Sequence, residues 1–264
     1  MIPAEVLAAA RLHRYPLLFA TVSGAHLYGF PSPDSDWDLR GVHILPPEQV
    51  AGLFEPEETI QIEEKRQIEL DLVTHDIRKF FKLLLRPNGY VLEQLLSPIV
   101  VLTSPEHGEV KALTPAILTR HHAHHYLGFA DNQWKLFSKE ERPRVKPLLY
   151  TFRVLLTGIH LMRAAVVEAN LGRLNEIYGL PFIPDLMARK LEGTEQQTLA
   201  NDELSFYERE FQALKERLVY EASVTSLPDT PTAKAALNDI LIRVRLGRGA
   251  TRSIESETNE DRHP

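Results

Sequence analysis

The spacing of apolar residues changes several times along the first hundred positions, and each change predicts an element. Residues 4–14 have the mixed periodicity of a short helix. LLFATVS, residues 17–23, is an apolar, β-prone run that predicts a buried strand ending at Ser23-Gly24. AHLYGF then fits one or two helical turns, and PSPDS around Asp34 is a turn by composition. WDLRGVHIL alternates as a second strand up to Pro46-Pro47, and TIQIEEKRQIELDLVTH reads as a hairpin of two extended segments. From His75 the period lengthens: apolar residues at 77, 80, 81, 84 and 85 lie on one helical face. Pro87-Asn88 breaks that helix, YVLEQLLS forms another, and PIVVLTS (98–104) is a last strand. Helices are expected near 106–118, 120–137, 147–171, 183–191, 203–223 and 230–246.

Strands early and helices late predict an α+β fold, in which a catalytic domain with a mixed sheet (1–112) precedes an all-α domain (113–250). The polar, charged end SIESETNEDRHP predicts a disordered tail over 251–264. The chain has 264 residues, and its 44% apolar and 25% charged residues are ordinary for a globular protein. With no cysteine, disulfide scaffolds, Cys-ligated zinc, iron–sulfur clusters and thiol catalysis are excluded. Charges interrupt the apolar N-terminal stretch and no run reaches membrane-spanning length, so a cytoplasmic protein without membrane contact is expected. The net charge of −6 is uneven: residues 120–173 hold nine Lys/Arg, four Asp/Glu and five His. A basic helical half beside an acidic sheet half suits phosphate binding facing metal binding, although a merely uneven solvated surface would read the same way.

Two segments carry candidate chemistry. Ser23-Gly24 ends a strand and opens a helix, where backbone N–H groups and a serine hydroxyl can meet an anion; by itself this is a common structural turn. Ser35-Asp36-Trp37-Asp38 enters the next strand, and residues two apart on a strand share a face. Asp36 and Asp38 would therefore stand side by side, a repulsion that a hard divalent cation relieves; alone, such a pair also fits a solvated edge. Asp71, an acid amid apolar residues in IELDLV, is the candidate third ligand of a two-metal site, with Glu69 on the same strand face as its substitute. Arg40 and Trp37 are expected on the face opposite Asp36 and Asp38, Arg40 in a supporting ion pair and Trp37 in the core.

The string SGAHLYGFPSPDSDWDLRGV resembles the polymerase β-like nucleotidyltransferase superfamily, with Ser23-Gly24 standing where the family usually has Gly-Ser. Within it, Tyr28-Gly29, Ser35 through Gly41 and the later FFKLLLRPNGYVLEQLLSP resemble the bacterial and phage branch associated with RNA repair and RNA ligase genes. The resemblance covers residues 15–105 well and the helical half loosely. It implies a nucleotidyltransferase that uses Mg²⁺ or Mn²⁺ and a nucleoside triphosphate, with Asp36, Asp38 and Asp71 as catalytic metal ligands. It further implies an RNA-end acceptor and a functional link to an RNA ligase. Transfer to a protein hydroxyl and a catalytically silent nucleotide-binding module are the competing functions.

Ser23, Gly24, His26, Tyr28 and Ser35 are the expected nucleotide contacts near the turn. Lys146, Tyr150 and Arg153, spaced along one helix, form a stripe that could hold a triphosphate tail, or simply face solvent. His121 and His125 are four apart within a dense histidine cluster, but a third ligand with recognisable spacing is missing, so plain surface or a phosphate-facing edge competes with metal binding. Asn132, Gln133 and Trp134 are base-contact candidates for which core packing is the default.

Overall fold

The fold was analysed as a computed structural model that describes residues 2–65, 68–140, 144–192 and 201–247; the expected tail, 251–264, lies outside the described residues. Five strands form one mixed sheet: β1 (Leu17–Val22), β2 (Trp37–His43), β3 (Thr59–Lys65), β4 (Glu69–Asp76) and β5 (Val100–Leu102), in spatial order β3-β4-β2-β1-β5. β1 is antiparallel to β2 and β5, β3 to β4, while β2 and β4 run parallel. The expected last strand is only three residues long at the sheet edge, and the other strands match their apolar patterns.

Side-chain alternation gives the sheet two faces with different cover. One face carries Ala20, Val22, Leu39, Leu70 and Leu72 and is closed by Val6 and Ala10 of α1 (Ala4–Arg11). The other face carries Phe19 and Val42 and packs on α4 (Ile77–Leu84), α5 (Gly89–Leu96) and α6 (Pro105–Ala112). In α4 the buried residues are Ile77, Phe80, Phe81 and Leu84, the i, i+3, i+4, i+7 stripe that the sequence shows. Two short helices, α2 (Gly24–Tyr28) and α3 (Pro47–Ala51), join the strands; α3 follows Pro46-Pro47 where a plain connection was expected. Proline at the first helical position explains its start.

After α7 (Thr114–Ile117), α8 (His122–Lys139) and α9 (Val145–Ala164) pair along their lengths, and α10 (Leu171–Tyr178), α11 (Ile183–Glu192) and α12 (Asn201–Val224) surround α9. A helix enclosed by neighbours must be apolar nearly all round, and α9 is. The helix expected over 147–171 stops at Ala164, and α10 begins where it was expected to end, in a stretch for which no helix was expected. Ala165 adopts φ 54° and ends α9, and Asn170 caps α10 by accepting from the Arg173 amide at 3.2 Å. A non-glycine residue in the left-handed region gives no warning in sequence.

The last helix, α13 (Lys234–Arg245), returns to the first half and packs on α4 and α6. One apolar cluster therefore runs from Leu18 to Ile240. Its latch is Asp76, buried at the junction of β4 and α4. That carboxylate caps α4 through the Arg78 amide (3.0 Å), accepts from the Leu45 amide (3.2 Å) and takes two 2.8 Å bonds from Arg245 Nη2. Asp76→Ala would leave a buried guanidinium without its partner and is expected to cost about 3–5 kcal/mol, read as a lower urea midpoint; an unchanged midpoint would refute the latch.

At the same end of the sheet, Thr74 Oγ1 bonds His43 Nδ1 (2.9 Å) and His13 Nε2 (3.1 Å), while His75 Nδ1 bonds Thr59 Oγ1 (2.9 Å). Burial lowers both His43 and His75 from 6.5 to about 4. The folded protein thus binds fewer protons than the unfolded chain between those values. Stability is expected to be complete above about pH 6.5 and to fall as the pH drops toward 4; urea titrations at pH 7, 6 and 5 check this, and a curve flat to pH 5 would contradict it.

Candidate active site

The strand-to-helix turn is built by two local constraints. The amide of Ser23 donates to the Asp38 carbonyl at 2.8 Å, extending the β1–β2 ladder by one residue. Gly24 then turns with φ +62°, and a Cβ at that position would stand 1.8 Å from Asp38 Oδ2. Only glycine allows this carboxylate to lie against the start of α2. Ser23 Oγ is buried and has no hydrogen-bond partner among the described residues. Gly24→Ala is expected to displace Asp38 and strain the turn, lowering stability by about 1–3 kcal/mol; a variant that melts with the parent would show the contact to be slack.

Pairing register makes a row of carboxylates. Asp38 is the direct partner of Asp71 across the parallel β2–β4 pair, and Asp71 is the direct partner of Glu63 across β3–β4. Paired residues project to the same face, so the three acids occupy one rung. Arg40 enters this rung from the next position along β2: its Nη2 donates to Asp38 Oδ1 at 2.8 Å and to Asp71 Oδ2 at 2.9 Å. The expectation that Arg40 faces away is corrected here, because residues 36, 38 and 40 have the same parity and share one side of the strand. Trp37 does lie on the other side, stacked on His26 with centroids 3.9 Å apart. Burial pushes the Asp38 carboxyl up from its ordinary value, Arg40 opposes this, Asp71 adds to it, and Lys146 opposes it again. Lys146 of α9 is therefore within electrostatic reach of the carboxylates.

Asp36 stands one residue before β2, exposed, and interacts with Glu69 and Lys65 at the hairpin rim. Of the three expected carboxylates, the fold thus brings Asp38 and Asp71 together and holds Asp36 beside Glu69. The neighbour that the sequence reading missed is Glu63. Its signal was the β3–β4 register, which the alternation of either strand alone cannot supply.

Other expected contacts are placed elsewhere. Ser35 closes the preceding turn, its hydroxyl 3.1 Å from Ser32 Oγ and accepting from the Ser32 amide at 3.0 Å, while buried Lys190 of α11 bonds Ser32. Tyr28 and Arg153, both expected as nucleotide contacts, are buried in the interior. Arg153 Nη1 bonds Glu93 Oε1 at 2.7 Å, and its guanidinium lies 3.8 Å above the Tyr28 ring. Tyr150 meets Tyr28 and Phe30 edge-on. The stripe is thus split: Lys146 lies within electrostatic reach of Asp38, and Arg153 locks α9 to α2 and α5. The histidines diverge, since His121 stacks on His124, His122 turns inward to Thr119 and His125 sets its edge to Tyr126. Trp134 stacks on Phe211 in the core. Among the described residues, no three His, Cys, Asp or Glu side chains stand together as metal ligands.

The donor set at Asp38 and Asp71 nevertheless fits a hard divalent cation. Mg²⁺ takes one or two carboxylates and completes its shell with water and substrate phosphate. A buried, unpartnered Ser23 hydroxyl and a turn without a Cβ border the pair.

A mixed sheet carrying adjacent aspartates beside a Ser-Gly strand-to-helix turn, followed by a helical half, defines a polymerase β-like nucleotidyltransferase. The family model described as RlaP, RNA repair pathway DNA polymerase beta family, matches residues 2–243, and the chain belongs to that family. It is similar to an uncharacterized protein of Methanocaldococcus jannaschii, 36% identical over 155 residues covering 58% of this chain and 63% of the relative. It is also similar to the uncharacterized protein YcgL of Bacillus subtilis, 30% identical over 142 residues covering 53% and 54%. The matched part spans less than two thirds of the length of either relative. Among solved structures, a nucleotidyltransferase-like protein from Exiguobacterium sibiricum aligns over 95% of this chain and 79% of its own, with 12% identity and a TM-score of 0.30. No helix among the described residues is long and apolar enough to cross a membrane.

Proposed function

We propose that this chain transfers a nucleoside monophosphate from a nucleoside triphosphate to the terminal hydroxyl of an RNA, releasing pyrophosphate. The observation that carries the reading is the in-register pair Asp38–Asp71 held against the Gly24 turn. A divalent cation, Mg²⁺ or Mn²⁺, bound by Asp38 and Asp71 would supply charge stabilisation to the triphosphate; Asp36, at the rim, is the third candidate ligand. Ser23 Oγ donates to a phosphate oxygen, which satisfies an otherwise orphaned buried hydroxyl. Lys146 adds positive charge from the helical half.

In the reaction the acceptor oxygen bonds the α-phosphorus while the bond from that phosphorus to the pyrophosphate oxygen breaks. Asp71 is the base for the acceptor proton, and pyrophosphate departs with the bridging electron pair. Positioning and fixed charge do most of this work, with no covalent enzyme intermediate. The RNA acceptor is supported by the family's description, which names an RNA repair pathway, and by the excess of basic residues between 120 and 173; a functional link to an RNA ligase is part of the proposal.

The test is incubation with α-labelled nucleoside triphosphates, Mg²⁺ or Mn²⁺, and RNA with a free 3′ hydroxyl. Label is expected on RNA, with Asp38→Asn and Asp71→Asn each losing about 10²–10³-fold or more in rate. Label on protein instead would replace the acceptor, and no label with any nucleotide would remove the enzymatic reading.

A further inference from the structure

A guanidinium has five N–H donors, and all five of Arg40 are engaged. Nε donates to Tyr90 Oη at 2.9 Å; Nη1 to the carbonyls of Leu39 and Asp71 at 3.0 and 2.7 Å; Nη2 to Asp38 Oδ1 and Asp71 Oδ2 at 2.8 and 2.9 Å. The side chain is 9% exposed. Swinging it out would forfeit five hydrogen bonds and leave two adjacent carboxylates without their counter-charge, so Arg40 is no temporary occupant of a cation's place. It is a strut. It takes one oxygen from each carboxylate and leaves one from each: Asp38 Oδ2, lying against Gly24, and Asp71 Oδ1, with only a long 3.5 Å approach from Gln61 Nε2.

The brace behind it is equally fixed. Tyr90 sits in the first turn of α5, whose cap Asn88 accepts from the Tyr90 and Val91 amides at 3.1 and 3.4 Å. Gly89 presses so close to Tyr126 that a Cβ would lie 2.5 Å from its Cζ. The segment RPNGYVLEQLL, besides covering the sheet face and holding Arg153 through Glu93, thereby anchors the site.

We infer that Arg40, braced by Tyr90, is a positioning residue that selects which oxygen of Asp38 and which of Asp71 meets the ligand, and admits a divalent cation chiefly as its complex with a triphosphate. The inference rests on the nucleotidyl-transfer reading above. Asp38, Asp71 and Glu63 against Arg40 and Lys146 leave a single net negative charge, a weak attraction for a bare cation. Phosphate oxygens brought with the cation supply the missing donors. A lysine would conserve the charge but, as a point donor, cannot span Tyr90, two carbonyls and two carboxylates at once.

The experiment is Mn²⁺ binding followed by electron paramagnetic resonance, alone and with the α,β-methylene analogue of each of the four ribonucleoside triphosphates. Wild-type protein is expected to bind Mn²⁺ at least about tenfold more tightly with one of the analogues than without. Arg40→Lys is expected to weaken the analogue-dependent binding about 10–100-fold, as loss of a ligand-orienting partner does. Tyr90→Phe, which removes only the hydroxyl of a residue 37% exposed, is expected to weaken it by less. Wild-type affinity in Arg40→Lys would show that charge alone suffices and overturn the positioning role. If Arg40→Lys does not fold, unchanged affinity in Tyr90→Phe overturns the brace. Equal Mn²⁺ affinity with and without every analogue in the wild type overturns the selective admission. Absence of any Mn²⁺ binding that Asp38→Asn abolishes removes the nucleotidyl-transfer reading itself.

Discussion

Two carboxylates fixed on adjacent strands repel, and a folded chain tolerates them only if a counter-charge stands within hydrogen-bonding reach. Here that requirement is met by Arg40, and much of the surrounding architecture serves it. β2 must run parallel to β4 so that Asp38 meets Asp71. Glycine must open α2 so that the Asp38 carboxylate has room. The first turn of α5 must lie over the sheet face so that Tyr90 reaches the guanidinium. Each of these is a backbone placement, fixed before any side chain chooses a rotamer.

The helical half holds this arrangement from behind. Glu93 of α5 and Arg153 of α9 form an ion pair in which both side chains are 3% exposed, and Tyr28 of α2 lies against the guanidinium. Thr21 of β1 donates to the Gln94 carbonyl of α5 at 2.8 Å. Gly29, with φ +89°, lets Asn170 of α10 approach the end of α2 to where a Cβ would collide at 2.6 Å. A buried ion pair is a weak source of net stability, but losing one partner is costly. Its value lies in fixing where α2 sits relative to α5.

Apolar periodicity was enough to mark all five strands, α4 and α5, although the last strand proved shorter than its pattern. It could not mark pairing. Alternation in IELDLV shows that Asp71 points to one side, but only the β2–β4 and β3–β4 registers show that Asp38 and Glu63 stand next to it. The side taken by Arg40 was readable from parity with Asp38 and was misassigned. Arg153 looked like a surface cation because its helical spacing matched Lys146 and Tyr150; Glu93, an acid inside the apolar run YVLEQLL, was the sign of an interior partner. The break at Ala165 had no sign at all, since alanine ordinarily continues a helix.

The Asp76–Arg245 contact joins residues 169 positions apart in the chain. On a ribosome, synthesis at about 5–20 residues per second separates the emergence of the two by roughly 10–30 s. Throughout that interval the Asp76 carboxylate is without the arginine that closes the β4–α4 junction. The β4–α4 junction is therefore among the last parts of the molecule that can be completed, since it waits for the final helix.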